Sequence, residues 1–347
     1  MRIAIVNNDY FSVFPQRGNG GIEAAVETWA KCLHKHGHDF FVITPKRHTP
    51  IETPFEVIDT KSLPCCEKSP SNYINDVSDI LAGENFDIVW ANSSWSVNFA
   101  KNRGSHDAPV IINIHDGVEH GAKGIISLNP HVYYRFLTKN HYDRCVSKDW
   151  EAEKSFFCYY GFWDDEYDYC KDKENYALWV ASLFYGFEAK GLDLFINLAI
   201  QNPSCRYFAY GVGPSNITEY VQQLSDKIPN FYWKGELKRG QEHKEVFKKA
   251  NVFYQLSRLP ESFGRTIVES QSKGTPVIGL HHKDASTREV IGDSLGTYPN
   301  VEKYNNYQFI FEKDYKHAFD YAQKFKAENE MNTLLEKSKL ILEKGKL

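Results

Sequence analysis

The sequence predicts an α/β protein built from two Rossmann-like, doubly wound domains, and three observations carry that expectation. Short, continuously apolar runs such as MRIAIVN (1–7), FFVIT (40–44), FDIVWA (86–91) and PVIINI (109–114) read as strands buried on both faces, the signature of parallel sheets covered by helices. Helical periodicity fills the gaps: Ile22, Ala25, Val26, Trp29, Ala30 and Leu33 recur every 3.6 residues across 22–36, and Gly37 stands where that helix should stop. The rhythm breaks once, in the acidic-aromatic stretch FFCYYGFWDDEYDYCKDKEN, and then restarts. A chain of 347 residues is too long for one ordinary core and suits two.

After the break, strands are expected at 177–183, 206–210, 231–233, 252–255 and 276–280. Helices are expected between them at 192–200, 218–227, 243–250 and 264–273. The tail, 315–344, reads as helical throughout, with Ala318, Phe319, Ala322 and Phe325 as an apolar stripe. The expected organisation is therefore a first domain over 1–170 and a second over 171–330. A closing helix over 331–347 is expected to pack back towards the first.

Composition excludes several classes. Apolar residues at 42 % and charged residues at 25 % describe a globular chain, and a net charge of -4 does not suit a nucleic-acid binder. No apolar run reaches the roughly 18 residues a membrane span needs, and the N-terminus opens directly into a strand pattern, so a cytoplasmic protein without a transmembrane segment is expected. Seven cysteines without a C-x-x-C pair form neither a disulfide framework nor a zinc spacing. Charge is uneven: residues 1–170 hold 16 Lys/Arg against 23 Asp/Glu, a formal -7, and residues 171–347 hold 25 against 22, a formal +3. An anionic ligand would favour the second half.

The stretch PESFGRTIVESQSKGTPVIG (260–279) concentrates candidate chemistry. A helix starting near Gly264 would point the amides of Gly264, Arg265 and Thr266 at the C-terminal edge of the sheet, a seat for phosphate. Glu261 before the helix and Glu269 within it could each accept hydrogen bonds from a pair of hydroxyls. Two solvent-facing glutamates on an ordinary strand–loop–helix are the plainer alternative. Other clusters are weaker. His115, Asp116, Glu119 and His120 in HDGVEH miss the H-E-x-x-H metal spacing, so no metal site is expected. RGNGG lacks the third glycine of a dinucleotide fingerprint, His34, His36 and His38 suit a helix C-terminus, and DDEYD reads as a solvated hinge.

The 260–279 stretch resembles the E-x7-E signature of retaining glycosyltransferases of the family-4 type, in the glycogen-synthase-like superfamily. Four further segments match in order: GNGGIEAAVETWAKCLHKHGHDFFVIT (18–44), PVIINIHDG (109–117), KGLDLFINLA (190–199) and REVIGDSLG (288–296). The resemblance implies the GT-B fold, two Rossmann-like domains facing each other across a cleft, with the acceptor side in the first and the nucleotide-sugar donor in the second. It implies transfer of a sugar from a nucleoside-diphosphate sugar, UDP- or GDP-linked, to a hydroxyl of a glycan or glycoconjugate, without a required metal or further cofactor. A sugar-nucleotide epimerase, a phosphorylase-like enzyme or a non-catalytic nucleotide-sugar-binding module on the same scaffold is the alternative.

Carried over residue by residue, the resemblance gives Glu261 the donor sugar's hydroxyls, Lys190 the diphosphate, and His115 a place beside the sugar. Glu269 takes the ribose hydroxyls, and Glu289 is the glutamate of the late segment. Gly20 and Gly21 let the first domain approach the donor, while Gly211 and Gly213 turn the chain beneath its phosphates. The family's arginine before the Lys-Gly pair is missing; Ser182 or a neighbour occupies its place, and Arg258, Arg265 or Arg17 are the possible substitutes.

Overall fold

The structure, a computed structural model, describes residues 1–15, 20–65, 72–92, 108–115, 131–146, 151–280, 286–292 and 312–345. The chain divides into two compact units, Met1–Trp163 with Phe325–Leu347, and Asp164–Lys324. These boundaries fall a few residues before the expected 170/171 and 330/331.

The described residues of unit 1 form a seven-stranded parallel sheet with helices packed on it. Its strands are β1 (Arg2–Val6), β2 (Asp39–Thr44), β3 (Glu56–Asp59), β4 (Ile88–Asn92), β5 (Val110–Ile114), β6 (Val132–Phe136) and β7 (Ser155–Phe157). They lie in the order β3-β2-β1-β4-β5-β6-β7, with Ile5 opposite both Val42 and Trp90. β4, β5 and β6 are buried at every position, which is why β4 and β5 read as unbroken apolar runs rather than alternating ones. Helix α1 (Gly21–Lys35) buries Trp29 edge-to-face against Trp90, ring centroids 5.9 Å apart, and ends where Gly37 takes φ 68°. Helices α2 (Tyr73–Gly83) and α3 (Lys139–Val146) complete its N-terminal portion among the described residues.

Unit 2 repeats the plan with β8 (Glu174–Val180), β9 (Arg206–Tyr210), β10 (Phe231–Trp233), β11 (Ala250–Gln255) and β12 (Val277–Gly279), all parallel in the order β10-β9-β8-β11-β12. Its helices are α4 (Leu192–Gln201), α5 (Ser215–Lys227), α6 (Gln241–Lys249), α7 (Arg265–Gln271), α8 (Thr287–Ile291) and α9 (Glu312–Ala322). These are two Rossmann-like parallel α/β domains, the expected fold class.

The tail is helical over almost all of 312–344, as expected, but in two α-helices: α9 gives way to a 3-10 turn, Gln323–Phe325, and then to α10 (Ala327–Lys344), which belongs to unit 1. Its anchor is Glu330, which pairs with the buried Arg135 of β6 and accepts the Gly161 amide at 2.6 Å; Trp90 Nε1 donates to Ser338 at 3.0 Å. The acidic run lies at the boundary of the units with its carboxylates exposed, and it is also paired. Asp165 and Asp168 pair with Lys244 and Lys248 of α6 at 3.0 and 2.7 Å, and Asp168 and Cys170 bond the chain at Ser272 and Lys273 through their amides.

Candidate functional site

Both sheets reverse direction between their first and fourth strands, β1/β4 and β8/β11, and parallel α/β sheets bind ligands at the carboxyl end of that switch point. In unit 2 the position is marked by close approach. Gly191, at φ 73°, lies so near Leu256 that an added Cβ would fall 2.1 Å from its carbonyl oxygen. The neighbouring Lys190 is thereby fixed: Trp179 Nε1 donates to its carbonyl at 3.1 Å, and the Arg258 amide donates to Ala189 O at 2.9 Å. The Lys190 ammonium then meets Glu261, Nζ to Oε1, at 2.6 Å, although 71 residues separate them. The Ser286 amide donates to Glu261 O at 3.1 Å, which brings the start of α8, and Glu289 within it, to the same loop.

Gly264 begins α7 at φ 81°, a left-handed conformation that glycine adopts without a Cβ penalty. Helix α7 covers Arg265–Gln271, shorter than the expected 264–273. Gly274 (φ 77°) reverses the chain, and Thr275 Oγ1 donates to the carbonyls of Phe247 and Ala250 at 2.7 and 3.1 Å, which ties the motif's end to α6 and β11. Glu269 is buried. His243 Nε2 stands 3.5 Å from one carboxylate oxygen, and Arg239 and Arg265 stand 3.9 and 4.0 Å from the other. Burial works to raise its pKa, but hydrogen bonding and charge from His243, then the charges of Arg239 and Arg265, outweigh it and hold the carboxyl at about 2.

The structure does not bring every expected residue to an open position. Arg258 is spent on a bidentate pair with Asp193, both bonds 2.7 Å, so it fastens the Lys190 loop to α4 instead of standing free. Gly211 and Gly213 have a packing reason: a Cβ would lie 2.2 Å from Ala181 O and 2.6 Å from Leu183 Cβ. Gly20 leaves room for the Glu23 carboxylate, 1.7 Å from where its Cβ would be; Gly21 opens α1. Glu289 offers its carbonyl to Tyr321 Oη at 2.7 Å. Ser182 is half-buried, its Oγ accepting from the Phe184 amide at 3.4 Å. Thr266 is half-buried in the first turn of α7.

His115, at the end of β5 in unit 1, is engaged through both ring nitrogens: Nε2 with Asn92 Oδ1 at 3.0 Å and Nδ1 with Tyr160 Oη. Burial and the charges of Arg135 and His141 depress its pKa to about 3, so the ring is neutral. Nε2–H donating to Asn92 leaves Nδ1 to accept from Tyr160. Arg17, Asp116, Glu119 and His120 lie outside the described residues. Among the described residues no group of three His, Cys, Asp or Glu side chains could hold a metal ion, and no helix is long and apolar enough to cross a membrane.

Arg239 and His243 were not expected. They lie either side of Gly240 in KRGQEHK, and only the folded chain brings them to Glu269.

Two sequence-family models match successive parts of the chain, and its two Rossmann-like parallel α/β domains match the GT-B architecture. Residues 19–150 match the sequence family described as Glycosyltransferase Family 4, and residues 169–304 match Glycosyl transferases group 1. Among solved structures it is similar to HepE of Anabaena in complex with UDP-glucose, at 16 % identity over 97 % of this chain and 98 % of that one, TM-score 0.71. Sucrose-phosphate synthase of Thermosynechococcus elongatus is similar at 14 % identity, covering 96 % and 97 %, TM-score 0.77. A glycosyltransferase of Rickettsia africae is similar at 16 % identity, covering 99 % of each chain, TM-score 0.71. No curated protein matches by sequence.

Proposed function

We propose that the chain is a retaining glycosyltransferase that moves a sugar from a nucleoside-diphosphate sugar to a hydroxyl of a glycan or glycoconjugate. Unit 2 takes the donor and unit 1 serves the acceptor side. The observation that carries this reading is the Lys190–Glu261 pair at the switch point of unit 2, one loop away from the buried, ionised Glu269. In this reading Lys190 meets the diphosphate, Glu261 the sugar hydroxyls, and Glu269 the ribose.

In the transfer, the bond between the anomeric carbon and the diphosphate oxygen breaks, the sugar becomes oxocarbenium-like, and negative charge grows on the leaving group. Lys190 stabilises that charge; a well-placed donor of this kind is worth about 3–4 kcal/mol. The 2.6 Å pair keeps lysine and carboxylate preassembled before the donor arrives. On binding, the phosphate replaces the carboxylate as partner of the ammonium and frees Glu261 for hydroxyls. Neither glutamate needs to act as a covalent nucleophile, and the departing phosphate can accept the acceptor's proton on the same face. Similarity to a UDP-glucose complex supports a UDP-sugar as the first donor to try.

Ser182 in place of the family's arginine favours a second reading, a nucleotide-sugar-binding module that does not turn over. Calorimetry against UDP, GDP and ADP, followed by mass analysis of reactions with UDP- and GDP-sugars and a panel of glycan acceptors, separates the two. Transfer product is the expected result. Tight binding without product supports the module, and absence of binding by all three nucleotides overturns both.

A further inference from the structure

The surroundings of Glu269 hold more than a ribose carboxylate requires. Three groups capable of positive charge approach it, and they approach both of its oxygens: His243 one side, Arg239 and Arg265 the other. The distances differ in kind. At 3.9 and 4.0 Å the guanidinium groups are too far for hydrogen bonds, so they compensate the charge without consuming the lone pairs of that oxygen. Such a carboxylate is steadied inside the protein while keeping acceptor capacity for a ligand.

The two residues from outside α7 are themselves held. The His243 ring packs on Phe247, centroids 4.9 Å apart, and Phe247 lies one turn further along α6 and is fully buried. Arg239 immediately precedes Gly240, whose φ of 119° turns the chain into α6. Its contact with Glu269 is the only ion pair or hydrogen bond of its side chain among the described residues.

We propose that Arg239 and His243 are positioning residues for Glu269, fixing its carboxylate so that the unconsumed lone pairs accept the vicinal hydroxyls of a nucleotide ribose. The proposal rests on the reading of the chain as a nucleotide-sugar transferase. It assigns a duty to the β10–α6 connection and the first turn of α6, which the E-x7-E motif does not include. Without these groups, burial would favour a protonated or rotated Glu269, and a protonated carboxyl accepts hydroxyls less well.

The test uses the full chain and two ligands differing by one oxygen, UDP and 2′-deoxy-UDP, with GDP and 2′-deoxy-GDP in parallel. Wild type should prefer the ribonucleotide by about tenfold or more, the scale of a hydrogen bond to a charged group. Arg239→Ala and His243→Ala should each weaken the ribonucleotide about three- to tenfold and the deoxynucleotide, which keeps one of the two hydroxyls, by distinctly less; His243→Gln should recover most of the loss. In a Glu269→Gln background neither substitution should have further effect. Equal weakening of both nucleotides, or no weakening of either, overturns the positioning role while leaving the transferase reading intact. Arg239 is one-third exposed, so its variant carries the test even if His243→Ala fails to fold. If neither ribonucleotide binds wild type, the nucleotide reading falls and this inference with it.

Discussion

Lys190 is where charge and geometry meet, and its removal is the sharpest check at the scale of a residue. Lys190→Ala should lower sugar transfer about 100- to 1,000-fold with little change in thermal stability, since its partner Glu261 is partly exposed and water can solvate what is left. Glu269→Gln should raise the Kd for the nucleotide, measured by calorimetry, while affinity for a free sugar stays as it was. His115 gives a pH signature. Its folded pKa of about 3 lies below the usual 6.5, so the unfolded chain binds a proton first as pH falls. The neutral ring's contribution is complete above about pH 6.5 and is lost progressively towards 3. Denaturant midpoints should therefore fall between pH 7 and pH 5, and His115→Gln should flatten that slope. At this scale the sequence showed the glutamates and the lysine because spacing and glycines announce them. It hid Arg239 and His243, whose neighbours in the chain are polar and whose partner is brought to them only by the folded chain.

Among elements, the strands that were legible are those with an unbroken apolar face. β1, β2, β4 and β5 fall within a few residues of where apolar runs placed them. β6, VYYRF, was not visible because its fourth residue is an arginine, and a charge argues against a buried strand until its partner is known. Arg135 is buried completely, donates to the carbonyls of Cys158 and Tyr159 and to Asn113, lies over the rings of Trp29 and Tyr160, and pairs with Glu330, 195 residues away. Removing one member of a buried pair strands the other's charge. Glu330→Ala should cost about 3–5 kcal/mol in equilibrium unfolding, while replacing a surface pair such as Lys139–Asp143 should cost less than about 1 kcal/mol. Gly191→Ala tests the switch point in the same way: the Leu256 carbonyl occupies the methyl's place, so the Lys190 loop must shift and transfer should drop even where the fold survives.

Taken as a molecule, the chain follows a plan that periodicity alone could reach: two parallel sheets, each reversing order at its own switch point. Periodicity could not reach the point where the chain returns to unit 1. A helical stripe looks the same whichever core it covers, and the change of allegiance falls in a short 3-10 turn, Gln323–Phe325, within a run that is helical on both sides.

That return has a consequence for the order of events during synthesis. Unit 2 is inserted within unit 1, so on a ribosome moving at about 5–20 residues per second the guanidinium of Arg135 waits roughly 10–40 s for its counter-ion to emerge. Meanwhile the later unit can close by itself. A nascent chain released before its final helix would thus pair a finished second unit with an unfinished first one, and chaperone occupancy should concentrate on the first 163 residues.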